Sequence, residues 1–164
     1  MTVETEAPGR DAGLFPERLL APTRMLAETQ GAVAAAIEHK AVGPAGLDPA
    51  TADLLLRLAK SADCGIRGVD IGEQCHMTAT RVSRLVDRAE ADGLVRRTPD
   101  PSDRRAQHVV LTEAGRDAAH RLAPLLTELL EELVFETLSQ EERATLMGLL
   151  ERLRDRARDL LTDQ

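Results

Sequence analysis

The helical spacing that runs through most of this chain is interrupted once. Between Gly93 and Thr112, two short apolar runs, Leu94-Val95 and Val109-Val110-Leu111, flank a segment with four arginines and two turn signals, Asp100-Pro101 and Ser102-Asp103. Pro, Asp and Ser favour turns, and β-branched residues favour strands. The segment is therefore expected to fold back on itself as a two-stranded hairpin. What lies on either side of that hairpin decides the fold.

Upstream, Leu19, Leu26, Val33 and Ile37 recur at spacings of seven and four, and the alanines of 32–36 favour helix. A helix from Leu14 to about Lys40 is expected, with Pro16 and Pro22 giving an N-terminal turn or a kink. The stretch VGPAGL (Val42–Leu47) breaks it. Asp48 followed by Pro49 is an N-cap with proline at the first helical position. The helix so opened carries Leu54, Leu55, Leu58 and Ala59, and Gly65 is expected to supply its left-handed cap. Residues Gly68–Cys75 fit a brief helix, which Gly72 weakens. Thr78 caps a helix whose stripe is Val82, Leu85, Val86 and Ala89, ended by Gly93.

Beyond the hairpin, Thr112 caps a long helix in which Leu122, Leu125, Leu126, Leu129, Leu130, Leu133 and Val134 repeat at alternating spacings of three and four. Pro124 is expected to kink it. Ser139–Glu142 is a capping box for a last helix with Leu146, Leu149, Leu150, Leu153, Ala157 and Leu160 on one side.

Three helices followed by a hairpin make a winged helix-turn-helix, so the fold class is mainly α with a small β-hairpin wing. The flanking helices hold more leucine than such a module can cover, and a second copy of the chain is the commonest cover. The expected organisation is a disordered tail over 1–13, an N-terminal dimerisation helix over 14–45, a DNA-binding lobe over 46–112 and C-terminal dimerisation helices over 113–162. With only Phe15 and Phe135 as aromatics, the core must be Leu, Val and Ala, and stacking platforms for single-stranded nucleic acid are excluded. No apolar run approaches 18 residues, the N-terminus is acidic, and two cysteines cannot frame a disulfide scaffold. A cytoplasmic protein with no membrane partner is expected.

The formal net charge is −7, yet residues 76–108 hold seven arginines against five acids. Screening confines charges to about 8 Å at physiological salt, so this basic island can meet an anionic partner despite its acidic flanks. On the helix from Thr78, burial of the apolar stripe leaves Thr78, Thr80, Arg81, Ser83 and Arg84 on the outer, N-terminal flank, with Arg88 a turn further on. Arginine can read guanine through two hydrogen bonds, and Ser or Thr can reach phosphates or bases. The competing reading pairs Arg84 and Arg88 with Asp87, Glu90 or Asp92 at helical spacing.

The stretch TATRVSRLVDRAEADGLVRRTPDPSDRRAQHVVLTEAG resembles the MarR family of transcription regulators. The resemblance rests on Ser83–Glu90, Gly93–Arg97, Asp103-Arg104-Arg105 and Leu111–Gly115, in that order and at those intervals, and Gly46–Ala59 looks like the family's second helix. It covers about residues 46–116 well and the flanking helices only by pattern. It implies a homodimeric regulator, a repressor, on a pseudo-palindromic double-stranded DNA operator, released by a small-molecule effector. Arg105 is implied to enter a minor groove with Asp103 orienting it. Arg96, Arg97, Arg104 and His108 are then candidates for phosphate contacts. Ala89 departs from the family's usual Leu, so looser packing is expected there, and Arg81 stands where Ser or Thr is common.

The family's usual effector site lies between the DNA-binding lobe and the dimer helices; Arg24, His39, Asp53 and Arg57 are candidates to border it. Cys64 and Cys75, with Arg67 and His76 nearby, offer a thiol-based redox trigger as the alternative, against which stands the reading of inert cysteines. Cys75, His76, His39, His108 and His120 match no standard zinc spacing. No nucleophile–base pair or phosphate loop is present at usable spacing, so neither catalysis, metal nor cofactor is expected. A protein-interaction module that has lost DNA binding is a third reading, against which Arg81, Arg84, Asp103 and Arg105 argue.

Overall fold

A computed structural model describes residues 17–61, 65–75, 77–100 and 107–162, in two compact units divided after Ile37. The first unit contributes one helix, α1 (Glu17–Ile37), which contains Pro22 in its second turn. The tail expected over 1–13 and the start expected at Leu14 lie outside the described residues.

The second unit opens with a π-helical turn, Glu38–Val42, that buries Ala41 and Val42. Helix α2 (Pro49–Lys60) follows. Asp48 caps it through Oδ1, which accepts from the amides of Ala50 and Thr51 at 3.1 Å each, while Oδ2 accepts from the Thr51 hydroxyl at 2.6 Å. Burial works to raise the pKa of Asp48, but the hydrogen bonds from Thr51 and Ala50 outweigh it and hold the carboxyl below its ordinary value. The proline at the first position loses nothing, because that amide has no helical acceptor.

Two expectations need correction here. Helix α2 ends at Ser61, whose amide and hydroxyl both donate to the Leu58 carbonyl, so Gly65 is not its cap. Gly65 does have a positive φ of 71°, but its work is different: an added Cβ would sit 2.4 Å from the Val109 carbonyl oxygen. It lets the chain press against a strand. That strand pairing is the second correction, because the expected hairpin is a three-stranded antiparallel sheet. Strands β1 (Ile66–Arg67), β2 (Val95–Pro99) and β3 (Gln107–Leu111) lie in the order β1-β3-β2. Ile66 pairs with Val109 and Arg67 with His108, while Val95 pairs with Leu111 and Arg96 with Val110. A two-residue strand is too short to leave a period of two in the sequence.

Between β1 and β2 stand α3 (Gly68–Cys75) and α4 (Ala79–Ala91). Thr78 caps α4, and Gly93, with φ of 73°, turns the chain out of it. Helix α5 (Glu113–Leu130) is capped by Thr112, whose Oγ accepts the Gly115 amide at 3.0 Å. It runs unbroken through Pro124, ends in a second π-helical turn, Glu131–Phe135, and is followed by α6 (Gln140–Thr162). The capping box before α6 is reciprocal: the Ser139 amide donates to Glu142 at 2.8 Å, and the Glu142 amide to the Ser139 hydroxyl at 3.3 Å.

One core unites the lobe. Leu54, Leu55 and Leu58 of α2 meet Ile71 of α3, Val82, Leu85, Val86 and Ala89 of α4, Val95, Val109 and Leu111 of the sheet, and Ala118 and Ala119 of α5. Full burial of a leucine contributes about 1.5–3 kcal/mol, and Leu54 and Leu55 are wholly enclosed. Ala89, where looser packing is expected, is itself fully buried. The contrast is α6, on which Leu146, Met147, Leu149, Leu150, Leu153, Leu160 and Leu161 are all exposed.

Candidate nucleic-acid interface

Burial of Val82, Leu85, Val86 and Ala89 fixes how α4 is rotated on the core, and the rotation leaves Thr78, Thr80, Arg81, Ser83, Arg84 and Arg88 exposed. Six polar side chains thus share one solvent-facing surface of a helix with a capped, partly positive N-terminus. The pairing of Arg84 and Arg88 with neighbouring acids is not what forms. Arg97, on β2, reaches across instead. Its backbone amide donates to Glu90 at 3.1 Å, its Nη1 bonds the same carboxylate, and its Nη2 bonds Asp87. The side chains of Arg81, Arg84 and Arg88 pair with no acid among the described residues. Two acids of the helix are neutralised from behind while its own cations stay uncommitted.

Arg97 therefore has a bracing role in this structure, fastening β2 to α4, rather than the exposed position a phosphate contact needs. Strand alternation sends its neighbour Arg96 to the opposite side of the sheet, where it lines a cleft with Val110 and Arg116.

His108 is likewise turned inward. Its Nε2 lies 2.9 Å from Oδ2 of Asp100, a carboxylate only 3% exposed. Arg67 of β1 donates to the same oxygen through Nε at 2.8 Å and also through Nη2. Sequence reasoning placed Arg67 beside the cysteines and Asp100 in a turn, and did not find their pairing across 33 residues. Together the three side chains tie β1 to both arms of the hairpin, immediately before the segment 101–106. Asp103, Arg104 and Arg105 belong to that segment and lie outside the described residues.

Because Asp100 is buried and accepts from Arg67 beside His108, Asp100→Asn is expected to destabilise the lobe by roughly 1–3 kcal/mol, the worth of hydrogen bonds to a charged group. Arg67 is partly solvated and recovers some hydration, which keeps the effect below that of a fully buried pair. A denaturant midpoint unchanged from the parent protein would show that the carboxylate does not hold the hairpin.

Asp53 and Arg57 pair with each other at 2.8 Å, one helical turn apart on α2, and the Cys75 thiol donates to Asp53 at 3.5 Å. Burial, against the opposing pull of Arg57 and with the help of Asp53, raises the Cys75 pKa above its ordinary value. A thiol so held resists becoming the reactive thiolate. Cys64 and His76 lie outside the described residues. His39 is exposed on the first π-helical turn, with no hydrogen bond to Asp53 or Arg57, and Arg24 belongs to α1 in the other unit. Among the described residues, no cluster of three His, Cys, Asp or Glu could hold a metal ion, and no helix is long and apolar enough to cross a membrane.

Comparison with known proteins agrees with this geometry. Residues 45–106 match the model of the MarR family. The uncharacterized HTH-type transcriptional regulator YwhA of Bacillus subtilis is 25% identical over 100 residues, covering 61% of this chain and 70% of that protein. Among solved structures, Sco3205 of Streptomyces coelicolor, a MarR family transcriptional regulator in complex with DNA, is 26% identical. It superposes with a TM-score of 0.78, over 86% of this chain and 88% of its own. CouR of Rhodococcus jostii RHA1, bound to p-coumaroyl-CoA, is 25% identical with a TM-score of 0.70, over 79% of this chain and 88% of its own.

Proposed function

The chain belongs to the MarR family of transcription regulators, and on that premise we propose that it is a homodimeric, cytoplasmic repressor of a pseudo-palindromic operator. The observation that carries the proposal is the exposed face of α4, whose three arginines form no salt bridge among the described residues while Arg97 pairs with Asp87 and Glu90 of that helix. Helix α4 enters the major groove, with Arg84 and Arg81 reading base edges, Thr78, Thr80 and Ser83 reaching bases or phosphates, and Arg88 on a phosphate. The sequence around Asp103 and Arg105 supports a wing in the minor groove, where Asp103 orients Arg105 and Arg104 holds backbone. Helix α1 and the helices after residue 113 form the dimer arms, and the lobe over 46–112 is the reading head.

That Sco3205 was solved with DNA and CouR with an acyl-CoA supports this reading of partner and trigger. A small organic ligand releases the operator by favouring a separation of the two recognition helices that misses successive major grooves, about 34 Å apart. The thiol-triggered alternative is weakened by the raised pKa of Cys75.

An inverted repeat upstream of the protein's own gene is the probe. Fluorescence anisotropy at several salt concentrations is expected to give a steep linear fall of log affinity with log salt. Arg88→Ala should flatten that slope by about 0.9, one phosphate's worth. Arg84→Ala should weaken binding by about 1–3 kcal/mol and relax preference at one base pair. Arg105→Ala should weaken it without loss of fold. Affinity unaltered by Arg84→Ala and Arg105→Ala together would overturn the assignment of both elements.

A further inference from the structure

Asp87 is a liability on a helix that meets DNA. It follows Ser83 by four residues and Arg84 by three, so the three side chains are neighbours on α4. The Ser83 hydroxyl donates to Oδ2 of Asp87 at 3.5 Å, and 59% of the Asp87 side chain is exposed. A carboxylate in that place opposes any polyanion that Arg84 approaches. It is also close enough to draw Arg84 into a pair on the helix itself.

One cation from another element answers both effects. Glu90 accepts from the Arg97 backbone amide at 3.1 Å and also from Nη1 of the same residue. With the guanidinium fixed there, its planar fork of donors carries Nη2 to Oδ1 of Asp87, the oxygen that Ser83 does not use. Glu90 is thus the anchor and Asp87 the target. Only 26% of the Arg97 side chain is exposed, and both of its terminal nitrogens are engaged.

We propose that Arg97 is a positioning residue for operator reading. It touches no nucleotide and acts through Asp87, whose charge it occupies so that Asp87 neither captures Arg84 nor repels the phosphates. The role differs from that of a brace, which would serve the fold whatever the helix meets. It differs also from that of a phosphate contact, which would need no acid beneath it. The effect on DNA rests on the DNA-binding reading above; the release of Arg84 by Arg97 does not.

Salt-varied anisotropy titrations on the inverted repeat read the effect on DNA. Arg97→Gln is expected to weaken binding about tenfold, because like charges across an interface oppose association and salt moderates the cost. Two double variants then restore the parent's net charge in different ways. Arg97→Gln/Asp87→Asn removes the target and should return to within about threefold of the parent, the two residues being directly coupled. Arg97→Gln/Glu90→Gln leaves Asp87 unheld and should stay weak. A merely structural brace is missing from both, and predicts that they behave alike. Equal rescue by the two, or unaltered affinity of Arg97→Gln, would overturn the proposal. So would a salt slope of Arg97→Gln/Asp87→Asn flatter than the parent's by about 0.9, the mark of one lost phosphate contact. Nuclear magnetic resonance of the guanidinium groups without DNA is independent of the operator. In the parent protein Arg97 should show slow rotation of its terminal nitrogens and Arg84 fast rotation; the reverse would overturn the proposal. Arg84 should slow in Arg97→Gln and speed again when Asp87→Asn is added. If the parent binds no such repeat, the proposed function falls, and the resonance result still decides which arginine holds Asp87.

Discussion

Gly115→Ala is expected to destabilise the lobe severely and to move its urea midpoint far below that of the parent. A Cβ at this position would lie 1.9 Å from the Leu94 carbonyl oxygen, 2.9 Å from its carbon and 3.3 Å from the Leu111 side chain. The obstacle is backbone, so no rotamer change removes it. The same carbonyl accepts the Thr112 amide at 3.0 Å and lies 3.0 Å from the Thr112 hydroxyl, which in turn caps α5 by accepting the Gly115 amide. Moving α5 away to admit a methyl therefore breaks the cap and its anchor together. Loss of a cap costs about 1 kcal/mol, overpacking about 1–3 kcal/mol, and each further hydrogen bond about 1 kcal/mol. The combined loss, on the order of 3–5 kcal/mol, is a large part of the roughly 5–15 kcal/mol that holds a typical domain folded. Gly68→Ala is the matched control, because nothing lies within 4 Å of the Cβ it would add. Urea titrations followed by circular dichroism should show the first variant unfolded or strongly shifted and the second close to the parent. A parent-like midpoint for Gly115→Ala would mean that α5 does not start against Leu94.

The same position shows what was legible in the sequence. The Leu111–Gly115 signature could be recognised as a family feature, but only the structure explains it: threonine is the cap, and glycine is the one residue that fits beneath a carbonyl. N-terminal caps were readable, as at Asp48, Thr78, Thr112 and the Ser139–Glu142 box, because their chemistry involves residues two or three apart. The rotation of α4 was readable too, since four buried apolar residues fix which polar ones remain outside.

What escaped was set by long-range pairing. Strand β1 is two residues long, and its role depends on β3, more than 40 residues away. Asp100 reads in sequence as a turn residue; its burial depends on Arg67 and His108 converging on it. Arg96 and Arg97 look equivalent as neighbouring cations, yet the strand sends one to α4 and the other to the cleft. There the signal was available. Once Leu94-Val95 was read as the start of a strand, a period of two put adjacent side chains on opposite faces.

Replacing Leu150 and Leu153 together by Glu is expected to turn a dimer into a monomer. Helix α6 has 23 residues, none of those described is buried, and its stripe of leucines faces solvent in the single chain. Its capping box contributes about 1 kcal/mol, whereas a long helix in a folded protein draws most of its stability from packing an apolar face. Under the proposed two-fold symmetry each substitution appears twice, so four carboxylates would enter one interface. Burying them without partners costs several kcal/mol, and the contributions of four leucines, about 1.5–3 kcal/mol each, are lost. Light scattering after gel filtration should give half the parent mass at micromolar concentration. Operator affinity should fall more than about a hundredfold, because the second half-site no longer benefits from being tethered to the first. The lobe should keep its fold, since none of the residues that form its core lies on α6. A variant that retained the dimer mass would place the interface away from α6, and one that became monomeric yet kept full operator affinity would remove the need for two half-sites.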